Sequence, residues 1–438
     1  MNIAILGYGD QGRAAHDYWS SPENTLTVCD QSEQLGVPEG VQMQLGTDYL
    51  RNLDRFELII RSPSVHPRDI VAANSPDILA KVTTVTNEFI RVCPSKNIVG
   101  VTGTKGKGTT CTLIAKMLEA SGKRVHLGGN IGIPPLDMLK NNIQSDDWIV
   151  LELANFQLID LSYSPHLAVC LMVVPEHMNW HTDFEEYVAA KSQLFKHQTK
   201  DDIAVYFAGN DTSKQMVALS PGQKIPYFSE PGAHIEDNHI VIDGQSICHT
   251  NELKLLGKHN WQNVCAAVTV MWQISQDVSA MHSVLITFSG LEYRLEFVRE
   301  VGGVKYYNDS FGTTPETAIV ALQAFDEPKV IVLGGSDKGA DYTELASVVA
   351  TSNVRSAILI GETAPKIKAA LDVVGYKNIQ DGGATMANIV RVLTATAQPG
   401  DIALLSTGNA SFGMFKNYKD RGEQFNVAIR QLNDSNRS

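Results

Sequence analysis

Residues 98–122 read IVGVTGTKGKGTTCTLIAKMLEASG, a strand, a glycine-rich turn and a helix in immediate succession. Ile98, Val99 and Val101 are β-branched residues of a short buried strand. Leu113, Ile114, Met117 and Leu118 recur at helical spacing, and Gly122 stands where such a helix stops. The turn between them holds Gly103, Gly106 and Gly108 with Lys105 and Lys107. Peptide N–H groups pointing inward, the positive end of the helix and a lysine ammonium together make a cradle for phosphate. The common form has four residues between its first glycine and the Gly-Lys pair. Here Gly100 has five before Gly106 and Lys107, and Gly103 has two, so the turn is a shorter variant. Gly108 follows Lys107 where a hydroxyl usually reaches Mg²⁺, which leaves Thr109 and Thr110 to supply one. A turn built only for packing needs no lysines; strand, helix and cations together point to nucleotide binding.

Working outward, 438 residues imply about two to four domains. A hydrophobic content of 43% with 19% charged residues is that of a globular protein with ample core, and a net charge of −12 argues against a broad nucleic-acid footprint. The six cysteines lie far apart with no Cys-x-x-Cys pair or signal peptide, so a disulfide framework is not expected. No apolar run reaches the roughly 18 residues that span a bilayer. A cytoplasmic protein without membrane or nucleic-acid partners is the expectation.

The chain opens on a strand over 3–6, followed by Gly7-Tyr8-Gly9-Asp10-Gln11-Gly12, a complete GxGxxG. Asp30 follows a second strand over 26–29, where a ribose-binding acid could sit. The pattern fits a dehydrogenase's dinucleotide site, or a Rossmann-like domain holding another nucleotide-bearing ligand, and the motif does not choose. The segment runs through a strand over 58–60 and the turn Ser62-Pro63-Ser64, ending near Arg91.

After the cradle come GGNIG at 128–132 and an apolar strand over 148–153 interrupted by Glu152. A carboxylate there needs a partner, either Mg²⁺ or a lysine. A second apolar strand, 167–174, ends in PEHMNWH at 175–181. His177 and His181 have the spacing of a helical zinc pair but lack its glutamate, so His177 reads as a single histidine facing a ligand crevice. The next helix shows Phe184, Tyr187, Val188, Leu194 and Phe195 at helical spacing, with Lys191 on the same face. Its stem could snorkel to solvent, the reading that periodicity favours, or its amine could serve as a carbamate beside Mg²⁺. Residues 201–246 read as a small antiparallel annex. The stretch LGKHN at 256–260 opens a helix carrying Asn263, with Asn260 as a cap or a base contact.

From about Gly290 the chain shows βα repeats with strands over 304–307, 330–333, 357–360 and 402–405. Each ends in a polar or glycine-rich loop, which in an open parallel sheet marks the ligand side. Lys416 and Arg421 follow Phe415 at the far end.

These motifs together resemble the ADP-forming Mur ligase family over nearly the whole chain. The resemblance rests on GTKGKGTT at 103–110, GGNIG at 128–132, LELANFQL at 151–158, EHMN at 176–179 and AAK at 189–191. It continues through GKHNWQN at 257–263, GLEYRLE at 290–296, YNDS at 307–310, GGSDKGAD at 334–341 and SFGMFKNYKDRG at 411–422. The last two resemble the D-glutamate-adding branch most. The resemblance implies an α/β protein of three domains: a Rossmann-like UDP-substrate domain over 1–92, a central P-loop ATPase-like domain with a parallel sheet over 93–289, and a Rossmann-like amino-acid domain over 290–438. It implies an ATP-dependent ligase of peptidoglycan precursor synthesis that activates a carboxylate as an acyl phosphate for attack by the amine of D-glutamate. The UDP-sugar peptide, D-glutamate and ATP would be its small-molecule partners, and the chain would act as a monomer.

Carried over by motif, Gly103, Thr104, Lys105, Gly106, Lys107, Gly108, Thr109 and Thr110 would hold the phosphates, with Asn260 and Asn263 near adenine. Arg294 and Asp309 would hold the nucleotide from the third domain, which must then swing onto the second. Two Mg²⁺ ions would be served by Thr109, Glu152, His177 and a carbamylated Lys191, and Lys107, Glu152, His177 and Lys191 would be the catalytic set. Asp10, Gln11, Asp30, Gln31, Asn130 and His177 fall at UDP-substrate positions. Thr313, Lys338, Ser411, Phe412 and Tyr418 fall at the D-glutamate site. The sequence departs from the family at Gly108, at Ala154 and Asn155 in place of two serines, at Phe311 in place of a lysine, and at Ser64 in place of a glycine. Gly108 is shared with folylpolyglutamate synthase, which stands as an alternative beside a Mur-type ligase for another amino acid, a nicotinamide-dependent dehydrogenase and a non-catalytic nucleotide module.

Overall fold

The computed structural model describes residues 1–433 except Leu256, Lys258 and Lys338, and leaves out the side chain of His259. The chain forms two compact units, residues 1–253 with 258–288, and residues 254–257 with 289 onward. Among the described residues no helix is long and apolar enough to cross a membrane.

The first unit holds two parallel sheets and a small antiparallel one. The amino-terminal sheet contains β1 (Asn2–Leu6), β2 (Thr25–Asp30), β3 (Gln42–Leu45), β4 (Leu58–Arg61) and β5 (Val82–Thr84), in the order β3-β2-β1-β4-β5. The order reverses beside β1, so the crevice at the carboxyl ends of β1 and β4 is where a ligand fits such a sheet. The central sheet contains β6 (Ile98–Thr102), β7 (Val125–Gly129), β8 (Trp148–Glu152), β9 (Leu167–Cys170), β10 (Ile203–Phe207) and β11 (Gln223–Tyr227), in the order β11-β10-β9-β6-β8-β7. All its pairings are parallel. β6 and β8 are wholly or almost wholly buried, as strands covered by helices on both faces must be. The antiparallel sheet is β12 (His234–Glu236), β13 (His239–Ile242) and β14 (Gln245–His249).

The annex expected over 201–246 is therefore corrected: β10 and β11 extend the central parallel sheet, and only the later residues form antiparallel hairpins. The strand expected over 167–174 stops at Cys170. Beyond it the chain leaves the sheet to run beside the glycine-rich turn after β6, where Thr104 N–H donates to Met172 O (2.8 Å) and Val174 N–H to Thr104 Oγ1 (2.9 Å).

The two parallel sheets of this unit share one hydrophobic core. Ile3, Ile5, Trp19, Ile60 and Phe89 from the amino-terminal layer join Leu136, Met138, Ile149, Leu151 and Leu194 from the central layer in one cluster. A second cluster around Leu53, Phe56 and Ile70 fills the outer face of the amino-terminal sheet.

The second unit is a single sheet of β15 (Glu296–Val301), β16 (Val304–Asn308), β17 (Lys329–Gly334), β18 (Val354–Ile360), β19 (Ile379–Asp381) and β20 (Ile402–Leu405). Its order is β15-β16-β20-β17-β18-β19, antiparallel at β15 and parallel elsewhere. One apolar cluster covers each face, around Leu322, Leu345 and Leu371 on one and Ile389, Leu393 and Phe425 on the other.

Candidate functional site

The turn after β6 is wrapped around an αL residue. Gly106 has φ +88° and caps the helix Lys107–Ala120, and a Cβ placed on it would lie 2.1 Å from Asn263 Oδ1. The left-handed backbone favours glycine here, and any side chain would in addition have to displace Asn263. The helix His259–Ile274 thus brings Asn263 against the turn, and Asn263 Nδ2 donates to Asn260 Oδ1 (2.7 Å). Asn260 lies in the first turn of that helix. Lys107 Nζ donates to Gly103 O (3.1 Å) and Thr104 O (2.9 Å), the carbonyls of its own turn. Thr109 and Thr110 are buried in the first turn of the helix, and the Thr110 hydroxyl has no hydrogen-bond partner among the described residues.

Strand register brings the acid to this turn. Val101 of β6 and Gly129 of β7 both pair with Glu152. Glu152 is 5% exposed, its Oε1 accepts from Asn130 Nδ2 (2.8 Å), and its backbone carbonyl accepts from Asn130 N–H (2.8 Å). Among the described residues no lysine or arginine forms an ion pair with it.

Lys191, in the helix Phe184–Lys196, is 1% exposed, which corrects the expectation of snorkelling. Its Nζ donates to Gly103 O (2.8 Å) and Thr102 Oγ1 (3.4 Å) and sits 4.7 Å from the centre of the Tyr187 ring. Burial, with the charge of Lys107 adding to it, holds this amine well below the ordinary lysine range. The Tyr187 hydroxyl shares a 3.0 Å hydrogen bond with Thr104 Oγ1, which joins this helix to the phosphate turn.

Residues 175–181 close the site on another side. Glu176 pairs with Lys105, and although burial works against it, the neighbouring cations hold its carboxyl below the usual range. His177 takes a left-handed backbone (φ +61°), an uncommon state for a non-glycine residue, and its ring packs 4.8 Å from Phe156. Burial lowers its pKa, with the nearby lysines adding and Glu176 opposing. His181 does not join it: that ring turns to Asn155, at 2.8 Å from Nε2, and to Glu186, at 3.2 Å from Nδ1.

A cavity of about 270 Å³ lies between the amino-terminal and central sheets, lined by Gly9, Asp10, Gln11, Ser62, Pro63, Ser64, Gly129, Asn130, Gly132 and Pro134. It contains three of the expected UDP-substrate residues: Asp10, Gln11 and Asn130. Asp30 sits behind the turn, its two oxygens accepting from Tyr8 N–H (2.7 Å) and Ser32 N–H (2.8 Å), and Gln31 is exposed beyond it. The third glycine of the motif, Gly12, is required by packing, since a Cβ there would lie 2.0 Å from Gly7 O. Sequence reasoning missed the adjacent clamp. Arg61, fully buried, donates from Nε (2.7 Å) and Nη2 (2.6 Å) to Asp160 and from Nη2 to Phe156 O (2.9 Å).

In the second unit, Asp309 follows the last residue of β16 and is almost fully buried. Its oxygens accept from the Ser406 hydroxyl (2.6 Å) and Leu295 N–H (3.2 Å), and burial pushes its carboxyl up to about 6. The Arg294 guanidinium lies 4.1 Å from the centre of the Phe311 ring, which in turn meets Tyr418 edge-on at 5.1 Å. Ser411 is buried, Thr313 half-buried and Phe412 56% exposed. Lys338 lies outside the described residues. Arg421, noted in the sequence without a role, is fully buried and donates to Ser310 Oγ (2.8 Å), Ser310 O (2.8 Å) and Asn409 O (3.0 Å). It ties together the loops after β16 and β20 and the helix Tyr418–Arg430.

Profiles of the Mur ligase middle domain and of the Mur ligase glutamate ligase domain match residues 101–271 and 293–408. The UDP-N-acetylmuramoylalanine–D-glutamate ligase of Clostridium kluyveri is 36% identical over 98% of this chain and 96% of its own, and that of Clostridium tetani 32% identical over the same shares. This chain belongs to the Mur ligase family. Among solved structures, the Thermotoga maritima MurF ligase in complex with ADP aligns with TM-score 0.57 at 18% identity over 86% of this chain and 90% of its own. UDP-N-acetylmuramate-alanine ligase MurC of the same organism aligns with TM-score 0.58 at 15% identity over 98% and 99%. Both share the three-domain α/β fold. The protein is thus an ATP-dependent ligase of peptidoglycan precursor synthesis, and the dehydrogenase and binding-module readings fall. The amino-terminal GxGxxG belongs to a Rossmann-like layer of a Mur ligase, with Asp30 bracing its turn.

Proposed function

We propose that this Mur ligase joins D-glutamate to UDP-N-acetylmuramoyl-L-alanine, converting ATP to ADP and phosphate. The observation that carries the reading is the near-full-length likeness to ligases named for that reaction. A carboxylate oxygen of the substrate attacks the γ-phosphorus and ADP leaves. The amine nitrogen of D-glutamate then attacks the acyl phosphate, phosphate departs, and the amide remains.

In this reading Lys107 and residues 103–110 hold the triphosphate, with Asn260 and Asn263 at the base and Arg294 and Asp309 supplied by the third domain. Magnesium would be held by Thr109 and Glu152, with His177 and a carbamylated Lys191 serving a second ion, and would neutralise charge at the transferred phosphoryl group. Two features support this fit: Glu152 is a buried acid without a cationic side-chain partner among the described residues, and the buried amine of Lys191 is held toward the neutral form that reacts with carbon dioxide. Asp10, Gln11, Asp30, Gln31, Asn130 and His177 would meet the UDP-sugar peptide, and Thr313, Lys338, Ser411, Phe412 and Tyr418 the D-glutamate. The domains would span 1–92, 93–289 and 290–438, in a cytoplasmic monomer.

The test is phosphate release by purified protein given ATP, Mg²⁺, UDP-N-acetylmuramoyl-L-alanine and one amino acid at a time. D-glutamate is expected to drive release. Release with another amino acid and none with D-glutamate would overturn the substrate assignment, and turnover of a folate with L-glutamate would select the alternative marked by Gly108.

A further inference from the structure

Among the described residues, His66, His181 and Glu186 form a group whose nitrogen and oxygen atoms all lie within 4.8 Å of one another. Their donor set suits a divalent cation, but the proton positions do not. His66 caps the helix Pro67–Ala73, and its Nδ1 accepts the N–H of Arg68 (3.0 Å). A neutral imidazole that accepts at Nδ1 carries its hydrogen on Nε2. That buried Nε2 faces Glu186 Oε1 at 3.4 Å and has no hydrogen-bond partner of good geometry. A metal at Nε2 would require Nδ1 to be protonated and to face the Arg68 N–H, donor against donor.

We propose instead that His66, Glu186 and His181 are positioning residues, a polar strut between the wall of the UDP-substrate cavity and the segment that carries Glu176 and His177, in which His181 is hydrogen-bonded to Glu186 and the His66 Nε2–H faces the same carboxylate at 3.4 Å. His66 follows the cavity-lining Ser62, Pro63 and Ser64 by two residues. Glu186 stands in the first turn of the helix that carries Lys191, its Oε2 accepting from Thr182 N–H (2.8 Å) and from His181 Nδ1 (3.2 Å). His181 reaches on to Asn155, three residues after Glu152. The Trp180 ring packs 4.1 Å from His66 and 4.6 Å from His181, and its carbonyl accepts from Arg68 (2.8 Å), so the strut is held on both sides. The charges around it agree with neutral rings on an ionised carboxylate. Burial, Arg68 and Arg61 lower the pKa of His66 against Glu186 and Asp69; burial, His66 and Lys191 lower that of His181 against Glu186. Burial raises Glu186, but the Thr182 amide and both imidazoles leave it lowered overall.

The strut rests on the proposed substrate only for its kinetic test, and wild-type turnover checks that substrate separately. In full-length protein, Glu186→Gln is expected to raise the KM for the UDP-sugar peptide about tenfold while the KM for ATP changes far less. A second variant, His66→Gln, leaves the Thr182 and His181 contacts in place and should shift the same KM; combined with Glu186→Gln it should add little further. Equal changes in both KM values that follow a fall in Tm, or additive effects, would overturn the proposal. Independently of any substrate, nitrogen NMR of the histidine-labelled wild type at pH 7 should show His66 neutral with its proton on Nε2. A proton on Nδ1, or one zinc ion bound per chain and lost in Glu186→Gln, would replace the strut by a metal centre.

Discussion

A lysine buried beside another lysine is driven toward the neutral amine, and Lys191 meets that condition against the phosphate turn. If its amine works as a carbamate, Lys191→Ala should lower phosphate release by roughly two orders of magnitude, the scale of losing one preorganised group at a reacting phosphate. A small carboxylate such as formate should restore part of the rate, and near-normal turnover without rescue would exclude the role. The sequence placed Lys191 on the apolar face of its helix, but helical period reports direction and not depth, so the same pattern fitted a stem reaching solvent. Glu152 was legible because an acid inside an apolar strand stands out. His66, Glu186, Asp160 and Arg61 were not, because the pairs His66 with Glu186 and Arg61 with Asp160 join segments about a hundred residues apart that no spacing in the sequence connects. Arg421 was visible as a residue, and only the fold shows that three of its donors go to two loop carbonyls and a hydroxyl.

At the scale of elements, hydrophobic runs located β1, β6, β8 and β20 to within a residue or two. They misjudged β10 and β11, because β11 is an edge strand carrying Pro226, and a proline within a short run reads as irregular structure. At the edges of the other sheet, β19 was missed because it is three residues long, and β15 because it carries three charged residues in six. The connection between elements rests on fewer groups. Arg61 ends β4, and its guanidinium is satisfied by Asp160 and by carbonyls at Ser62, Val65 and Phe156. Asp160→Ala should therefore destabilise the first unit by about 3 kcal/mol, since it leaves a buried cation without its counter-charge. Urea unfolding of the full chain would measure this, with Asp160→Asn, which retains one acceptor, falling between the two.

For the whole molecule, the division that matters is between cores. The amino-terminal and central sheets bury side chains in one common cluster, whereas the second unit builds both of its clusters from its own residues. A fragment of residues 289–438 should consequently fold alone and melt cooperatively by calorimetry. A fragment of residues 1–92 should not, because Ile3, Ile5, Trp19 and Phe89 would lose the partners that cover them. A cooperative transition in the short fragment would contradict the shared core.

That arrangement also bears on how such a gene can change over generations. A recombination event that replaced the carboxyl-terminal third would bring in a unit already packed, and selection could try the new copy in one step. The opening segment offers no such freedom: an exchanged copy would arrive with a seam that no longer matched, and the lineage would have to adjust both sides together.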